Sequence, residues 1–396
     1  MIKVYKFICF IFFMQLVATS YANELINSKI FGLANHPDAQ MCAVKKIYPF
    51  PLKLSKTFPS SKAGQHGLGR ISAETKAIHK HFFSLAEGCR SSSTQFRDKT
   101  CKQIIGSLKK ILDEDAYGHK AFKKTSALAG FALSSRIAYP MFIALETAML
   151  YDITKEEAIK TRNVLLKWFK KRRVKVINFF ESKTDKLWNN HDVAWEVLLA
   201  VAGIEDNTEG SIERINTTLD KTFANMRSDG SIPAETKRGA MALHYTALNL
   251  SFLLRGMMIL QANEKIKEKH IYDFEKAVDY YLLALADFKL IDSYAAENHN
   301  PGRDNPRELE FFALHGGIGM VRLFADKFDR SDLKKRLRNL TIDDRMCSYT
   351  NTKRKAKEWL ASCPSPKIRL EKNYSFMTPL GLNGCLYNSF IPPSQQ

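Results

Sequence analysis

The chain has 396 residues, enough for one large core or for two ordinary domains. Lysine and arginine total 60 against 41 aspartate and glutamate, so the formal net charge is +19. Such a field attracts nucleic acid, anionic lipid or acidic polysaccharide, although it can also serve solubility alone. We see no recognisable nucleic-acid module, and the apolar stretch Thr125–Tyr151 is interrupted by Arg136 and Pro140. We therefore expect an acidic polysaccharide as partner, with no nucleic acid and no membrane span in the mature chain.

The N-terminus has the pattern of a secretory signal peptide. Lys3 and Lys6 precede the apolar run Phe7–Ala18, and the small-residue pattern Ser20-Tyr21-Ala22 follows. We predict a signal peptide over residues 1–22, with cleavage after Ala22, which lowers the charge by the two lysines. The mature protein would be secreted, or periplasmic in a Gram-negative cell.

Cysteine usage agrees with export. Cys9 lies in the predicted signal, and the mature chain keeps an even set: Cys42, Cys89, Cys101, Cys347, Cys363 and Cys385. An even number of cysteines in an exported chain indicates disulfides, whose pairing the sequence leaves open. None belongs to a CxxC pair or a zinc-like histidine pattern, so we predict neither a metal site nor a cofactor.

The mature sequence has the periodicity of helices. Apolar residues recur every three or four positions in Ile104–Leu112, Thr154–Phe180, Val193–Ala202, Ala240–Leu260 and Tyr272–Ala286. No sustained alternation predicts a sheet, so the fold class is all-α. Antiparallel helix pairs of this size can close into an α/α toroid with a long cleft, although a helical repeat array or an irregular bundle remains open.

Two stretches differ from this helical pattern. Phe58–Ser72 is rich in glycine and serine yet carries Lys62, His66 and Arg70, as expected of a flap that touches an anionic ligand, or of an ordinary solvated loop. Residues 346–396 hold half of the mature cysteines and several prolines. We therefore predict one helical domain over residues 23–345 and a disulfide-linked tail packed on it.

Two polar runs are interpreted as surface features. Lys170–Arg173 lies in an amphipathic helical stretch, which favours a solvated face. His79 and His81 could suggest a metal pair, but positions two apart in a helix do not converge. We therefore predict that both histidines are exposed.

A first cluster of candidate chemical groups follows Trp188. Asn189-Asn190-His191-Asp192 precedes an apolar helical run, so one asparagine could simply be a helix cap and His191 a surface residue.

A second cluster changes this balance. Ser231–Glu235 is typical of a helix start, with Pro233 in the first turn. The helix would then carry Arg238, His244 and Tyr245. Because Arg238 and Tyr245 are two turns apart, we predict that one helix face presents a cation beside a phenol.

This combination suits β-elimination in a uronate polymer. Removing the C5 proton is difficult while the neighbouring carboxylate keeps its charge, and Arg, Asn and His can donate to that carboxylate. A tyrosine can remove the proton and then protonate the departing oxygen, provided that nearby positive charge lowers its pKa from about 10. Paired carboxylates for glycoside hydrolysis are not indicated.

Here the sequence resembles the alginate lyase family of helical-toroid enzymes, the poly-mannuronate lyases, over about Cys42–Phe328. The resemblance lies in Asn189-Asn190-His191, in the segment Asp229–Tyr245 (DGSIPAETKRGAMALHY), and in Ser61-Lys62 with Arg70. Glu308–Leu314 is a weaker match. The resemblance implies an incomplete α/α toroid with a tunnel-like cleft.

The resemblance also implies roles for single residues. Asn190 and Arg238 would neutralise the substrate carboxylate, Tyr245 would act as base and acid, and His191 would assist with charge or serve as base on the other sugar face. Substrate contacts are expected from Lys62, His66, Arg70, Trp188 and His244.

This chain departs from the family at two places. Val193 and Ala194, followed by Trp195, stand where the family has an aromatic pair, and Ala63 replaces a tyrosine of the lid. These changes bear on specificity for mannuronan more than on the elimination chemistry. We expect an exported monomeric lyase with alginate as first substrate; a lyase for glucuronan or a glycosaminoglycan, and a non-catalytic polysaccharide-binding protein, are the alternatives.

Overall fold

The computed structural model describes the central part of the chain. The described residues are 46–55, 68–118, 132–181, 188–204, 207–238, 242–287, 289–295 and 311–340. The predicted signal peptide and C-terminal tail lie outside them. Within these ranges the secondary structure is entirely helical, with no strand, as predicted.

Thirteen helical elements follow one another along the described residues. In chain order they are α1 (Leu68–Cys89), α2 (Thr94–Asp113), a π-helical segment (Ala132–Ala138), α3 (Tyr139–Met149), α4 (Asp152–Glu181), α5 (Asn190–Ala202), α6 (Thr208–Ala224), α7 (Pro233–Thr236), α8 (Ala242–Ala262), α9 (Glu268–Ala286), α10 (Lys289–Ala295), α11 (Phe311–Lys327) and α12 (Ser331–Arg338). The five predicted helical segments fall on these helices, apart from Ala240 and Met241, which lie outside the described residues. None of the described helices is both long and apolar enough to cross a bilayer.

Local sequence explains where several helices begin and end. Ser93 caps α2 by accepting from the backbone N–H of Phe96, and Asn207 caps α6 in the same way through Gly210. Gly203, with φ of 64°, ends α5 in the left-handed conformation that glycine adopts without strain. One boundary differs from prediction: α1 begins at Leu68, so the last residues of the expected flap Phe58–Ser72 are helical.

Two apolar helices form the centre of the described fold. Helix α8 is buried along nearly its whole length, and it packs against α5, α6, α9 and α11. Helix α3 is buried throughout and packs against α1, α2 and α4. A helix that is apolar all round must lie inside the molecule, and these two organise the others around themselves.

One disulfide joins the first two helices. Cys89 at the end of α1 pairs with Cys101 in α2, and both side chains are buried. The prediction of disulfides is confirmed for this pair. The other mature cysteines lie outside the described residues, and their pairing stays open.

The two histidines predicted to be exposed are buried instead. His79 and His81 both have 0% exposure, because α1 is covered by α2, α3 and the preceding extended segment. The Nδ1 of His81 lies 2.7 Å from the Tyr48 carbonyl oxygen, and its Nε2 lies 2.8 Å from the Ser107 hydroxyl. These contacts replace the water that a surface histidine would bind.

The predicted solvated run Lys170–Arg173 is also only partly exposed. Lys171 is exposed, but Arg172 is buried and stacks on Trp168, with the guanidinium carbon 3.9 Å from the ring centroid. Arg172 also donates to the carbonyl oxygens of Ala116 and Tyr117, at 2.7 and 2.8 Å. The arginine thus fixes the turn after α2, and its burial corrects the surface interpretation.

Replacing either of two glycines by alanine should change stability, in opposite directions. A Cβ at Gly230, where φ is 90°, would lie 2.2 Å from the carbonyl oxygen of Lys276, whereas a Cβ at Gly106 in α2 would meet nothing within 4 Å. We expect Gly230→Ala to lower the free energy of unfolding by more than about 1 kcal/mol. Gly106→Ala should raise it by about 0.5–1 kcal/mol, because alanine favours the helix. Urea unfolding of both variants tests this, and equal stabilities would contradict the packing around Gly230.

Candidate active site

The first site element is the start of α5. The side-chain oxygen of Asn189 accepts from the backbone N–H groups of His191, at 2.8 Å, and Asp192, at 3.3 Å. Asn189 is therefore the helix cap, as one sequence interpretation held. The side-chain amide of its neighbour Asn190 takes no part in this capping.

A buried carboxylate holds the same helix start from a distance. Glu235, in the short helix α7, accepts the backbone N–H of Asn190 at its Oε1, with an N···O distance of 2.5 Å. The same oxygen accepts the side-chain amide of Asn249 in α8, at 2.9 Å. Glu235 thus joins three elements in the interior of the protein.

The predicted continuous helix from Pro233 to Tyr245 is wrong. Helix α7 ends at Thr236, Arg238 lies in the following turn, and α8 begins at Ala242. The expected pairing nevertheless occurs, because the guanidinium carbon of Arg238 lies 3.9 Å from the ring centroid of Tyr245. The cation therefore lies against the phenol ring although the two residues are not in one continuous helix.

The two clusters meet through Glu235 and Asn249. Asn249 lies one turn after Tyr245, and residues four apart share a helix face. Asn249 is also linked through the Glu235 carboxylate to the backbone of Asn190. Asn190, Arg238 and Tyr245 are consequently gathered around one buried hydrogen-bond network, and half-buried His191 follows Asn190 directly.

The side chain of Asn190 is an unusual feature of this site. It is buried, and neither its Oδ1 nor its Nδ2 has a hydrogen-bond partner within the described part of the chain. A buried amide without partners costs about 1–3 kcal/mol. Such a group is a candidate for binding a polar ligand.

His244 contributes a neutral ring next to the phenol. Its ring centroid lies 4.9 Å from that of Tyr245, with the planes nearly perpendicular. Burial, together with the positive charges of Arg136 and Arg238, lowers the pKa of His244 to about 3. His244 is therefore uncharged near neutral pH and only slightly exposed, and its predicted contact with substrate stays a prediction.

The other predicted substrate contacts are less completely described. Trp188 is 8% exposed, has a positive φ of 46°, and has the Lys221 ammonium 5.0 Å from its ring centroid. Lys62 and His66 lie outside the described residues. Arg70 is in α1, and its side chain lies outside the description.

The sequence interpretation missed three residues near the site. Glu235 and Asn249 were not singled out as partners of Asn190, because a hydrogen bond across 45 residues leaves no local pattern. Arg136, buried in the π-helical segment, lowers the pKa of His244 and also that of His79, after burial itself. Its signal in the sequence was a cation within an apolar stretch.

The comparisons with known proteins concern this same region. Residues 137–291 match the family model described as alginate lyase. Over these residues the chain is similar to the alginate lyase family. The matched region includes Asn190, Arg238 and Tyr245, so the resemblance drawn from the motifs is confirmed. No curated protein sequence matches the chain.

Solved alginate lyases share the fold. Alginate lyase A1-III from a Sphingomonas species is 15% identical, with a TM-score of 0.53 and with 79% of this chain and 87% of that chain covered. A variant of A1-III complexed with a tetrasaccharide has the same identity and TM-score, with 75% and 80% covered. The predicted α/α toroid is confirmed, and the family match and fold together support a polysaccharide lyase enzyme.

Glu235 makes the stability of the protein depend on pH. Burial raises its pKa from the ordinary 4.5 to about 7, so the folded state binds the proton more tightly than the unfolded state. The stabilising contribution is complete below pH 4.5 and is lost as the pH rises through about 7. The free energy of unfolding of Glu235→Gln, measured relative to wild type, should therefore increase as the pH rises from 5 to 8, by at most about 3 kcal/mol. Denaturant unfolding at both pH values measures this, and a difference that does not change with pH would contradict it.

Proposed function

We propose that this protein is an exported lyase that cleaves alginate by β-elimination, with mannuronate-rich chains as its first choice. The product would carry a 4,5-unsaturated uronate at its new non-reducing end. The observation that carries the proposal is the guanidinium carbon of Arg238 lying 3.9 Å from the centroid of the Tyr245 ring. Beside this pair, Asn190 is bonded to Glu235 through its backbone N–H, while its buried side-chain amide has no hydrogen-bond partner among the described residues.

The first task of such a site is to make the C5 proton acidic. The uronate carboxylate must accept negative charge as the proton leaves, and hydrogen-bond donors aimed at it stabilise that charge. The Nδ2 group of Asn190 and the guanidinium of Arg238 are suitable donors. The buried position of Asn190 makes its contribution larger than it would be in water.

The second task is proton transfer. The phenolate of Tyr245 would take the C5 proton, the electron pair of the C5–H bond would form the C4=C5 double bond, and the C4–O4 bond would break. The phenol then returns its proton to the departing O4. The adjacent Arg238 cation favours the phenolate by Coulomb attraction, and His191 would assist with charge or act as base on the opposite sugar face.

The substrate class is supported by charge and by relatives. The formal charge of +19 suits a polyanion. The family described as alginate lyase and the tetrasaccharide complex of a structural neighbour favour an oligomeric uronate. The signal-like N-terminus supports export to the periplasm or medium, and the proposed active form is a monomer.

Tyr245→Phe tests the elimination chemistry. The variant keeps the ring that contacts Arg238 but loses the hydroxyl that transfers the proton, so kcat should fall by about 100-fold or more. Absorbance of the conjugated unsaturated uronate measures the rate on mannuronan, guluronan, glucuronan, hyaluronan and chondroitin, and calorimetry measures binding.

The outcomes separate the proposal from its alternatives. If wild type cleaves mannuronan and Tyr245→Phe does not, the proposal is supported. If wild type cleaves another polymer instead, the protein is a different glycuronan lyase. Binding without turnover by wild type indicates a polysaccharide-binding protein. Full activity of the phenylalanine variant would remove Tyr245 from the chemistry.

Arg238→Ala tests carboxylate neutralisation. Removing a donor to a developing anion should lower kcat by about 100-fold. Arg330→Ala is the matched control, because Arg330 is a partly exposed arginine outside the site. Its Nε lies 3.2 Å from Oε2 of Glu275. We expect the control to keep the wild-type rate; equal losses in both variants would show a general effect of charge.

A further inference from the structure

The side-chain amide of Asn190 can be held in place only indirectly. Its side-chain atoms have no hydrogen-bond partner within the described residues. Packing and the position of its own backbone must therefore set where the amide points. The backbone N–H of Asn190, two bonds from its Cβ, is the nearest anchored group.

That anchor is not the one that the local sequence supplies. Asn189 already caps the N–H groups of His191 and Asp192, in the usual manner of a helix start. The N–H of Asn190 is instead bonded to Glu235, a fully buried acid from another helix. At a surface, water could accept from a helix N–H without the free-energy cost of burying a carboxylate. The protein therefore keeps an energetically costly acceptor at this one point.

Glu235 also connects the remaining parts of the site. Its Oε1 accepts from Asn249, on the same face of α8 as Tyr245. Its own carbonyl oxygen accepts the backbone N–H of Arg238, at 3.0 Å. Glu235 therefore sets the relative positions of three groups. Asn190 and Arg238 would neutralise the substrate carboxylate, and Tyr245 would transfer the proton.

We propose that Glu235 is a positioning residue, which places the Asn190 amide against the substrate carboxylate while holding it in register with Arg238 and Tyr245. The inference rests on the proposed lyase function. Glu235 itself touches neither substrate nor reacting atoms. Its contribution is the location of its Oε1 oxygen, because a misplacement of about 1 Å at a site of this kind can cost up to about 100-fold in rate.

Two substitutions at Glu235 separate position from charge. Glu235→Asp keeps the negative charge but withdraws the acceptor oxygen by one methylene, and Glu235→Gln keeps the acceptor in place but removes the charge. We expect Glu235→Asp to lower kcat by at least about tenfold with little change in KM. Glu235→Gln should recover most of that loss, to within about fivefold of wild type.

The matched controls are Glu146→Asp and Glu146→Gln. Glu146 is also a buried carboxylate, and it lies on α3, which carries none of the proposed site residues. Both controls should keep the wild-type kcat, even where their unfolding temperatures fall as far as that of Glu235→Asp. This comparison separates a loss of position from a general loss of stability.

The rates are measured by absorbance of the unsaturated uronate on the polymer that wild type cleaves. A wild type inactive on every polymer would overturn the proposed function. An active wild type with a fully active Glu235→Asp variant would overturn only the positioning role. A Glu235→Gln variant as slow as Glu235→Asp would also overturn it, because an acceptor oxygen kept in place would then not be enough to restore the rate.

Discussion

The hydrogen bond between the buried carboxylate of Glu235 and the first N–H of α5 is the constraint on which the candidate site depends. Helix α5 supplies Asn190, the turn after α7 supplies Arg238, and α8 supplies Tyr245. These elements come from separate stretches of the chain, and the shared Oε1 oxygen joins them through Asn249. A buried acid of this kind is costly, since its pKa is raised by burial, and the two donors offset part of that cost.

The electrostatics around this network suit an anionic ligand. Arg238 and Arg136 both act on His244, which is neutral because it is buried beside these cations. The neutral imidazole adds no further charge next to Tyr245, while Arg238 lies directly on the phenol ring. The side-chain amide of Asn190, which has no hydrogen-bond partner among the described residues, completes the set. A site that leaves buried polar groups unsatisfied loses stability, and binding a carboxylate would restore it.

The scaffold around the site depends on polar groups that are fully buried. His81 joins the extended N-terminal segment to α2 through Tyr48 and Ser107, and Arg172 fixes the turn after α2 from within α4. The Cys89–Cys101 disulfide joins α1 to α2. Side-chain polarity alone misjudged both His81 and Arg172, because burial depends on which helices cover a position and not on the residue type.

The sequence by itself determined the helical class, the approximate bounds of five helices, the presence of disulfides and the residue types of the site, because these depend on periodicity, counts and short motifs. It could not determine that the helix predicted from Pro233 to Tyr245 would end at Thr236, or that Glu235 would reach Asn190. The tertiary structure decided both, since a hydrogen bond between residues 45 positions apart depends on how α5, α7 and α8 pack. Periodicity describes one helix at a time, whereas this site exists only where three of them meet.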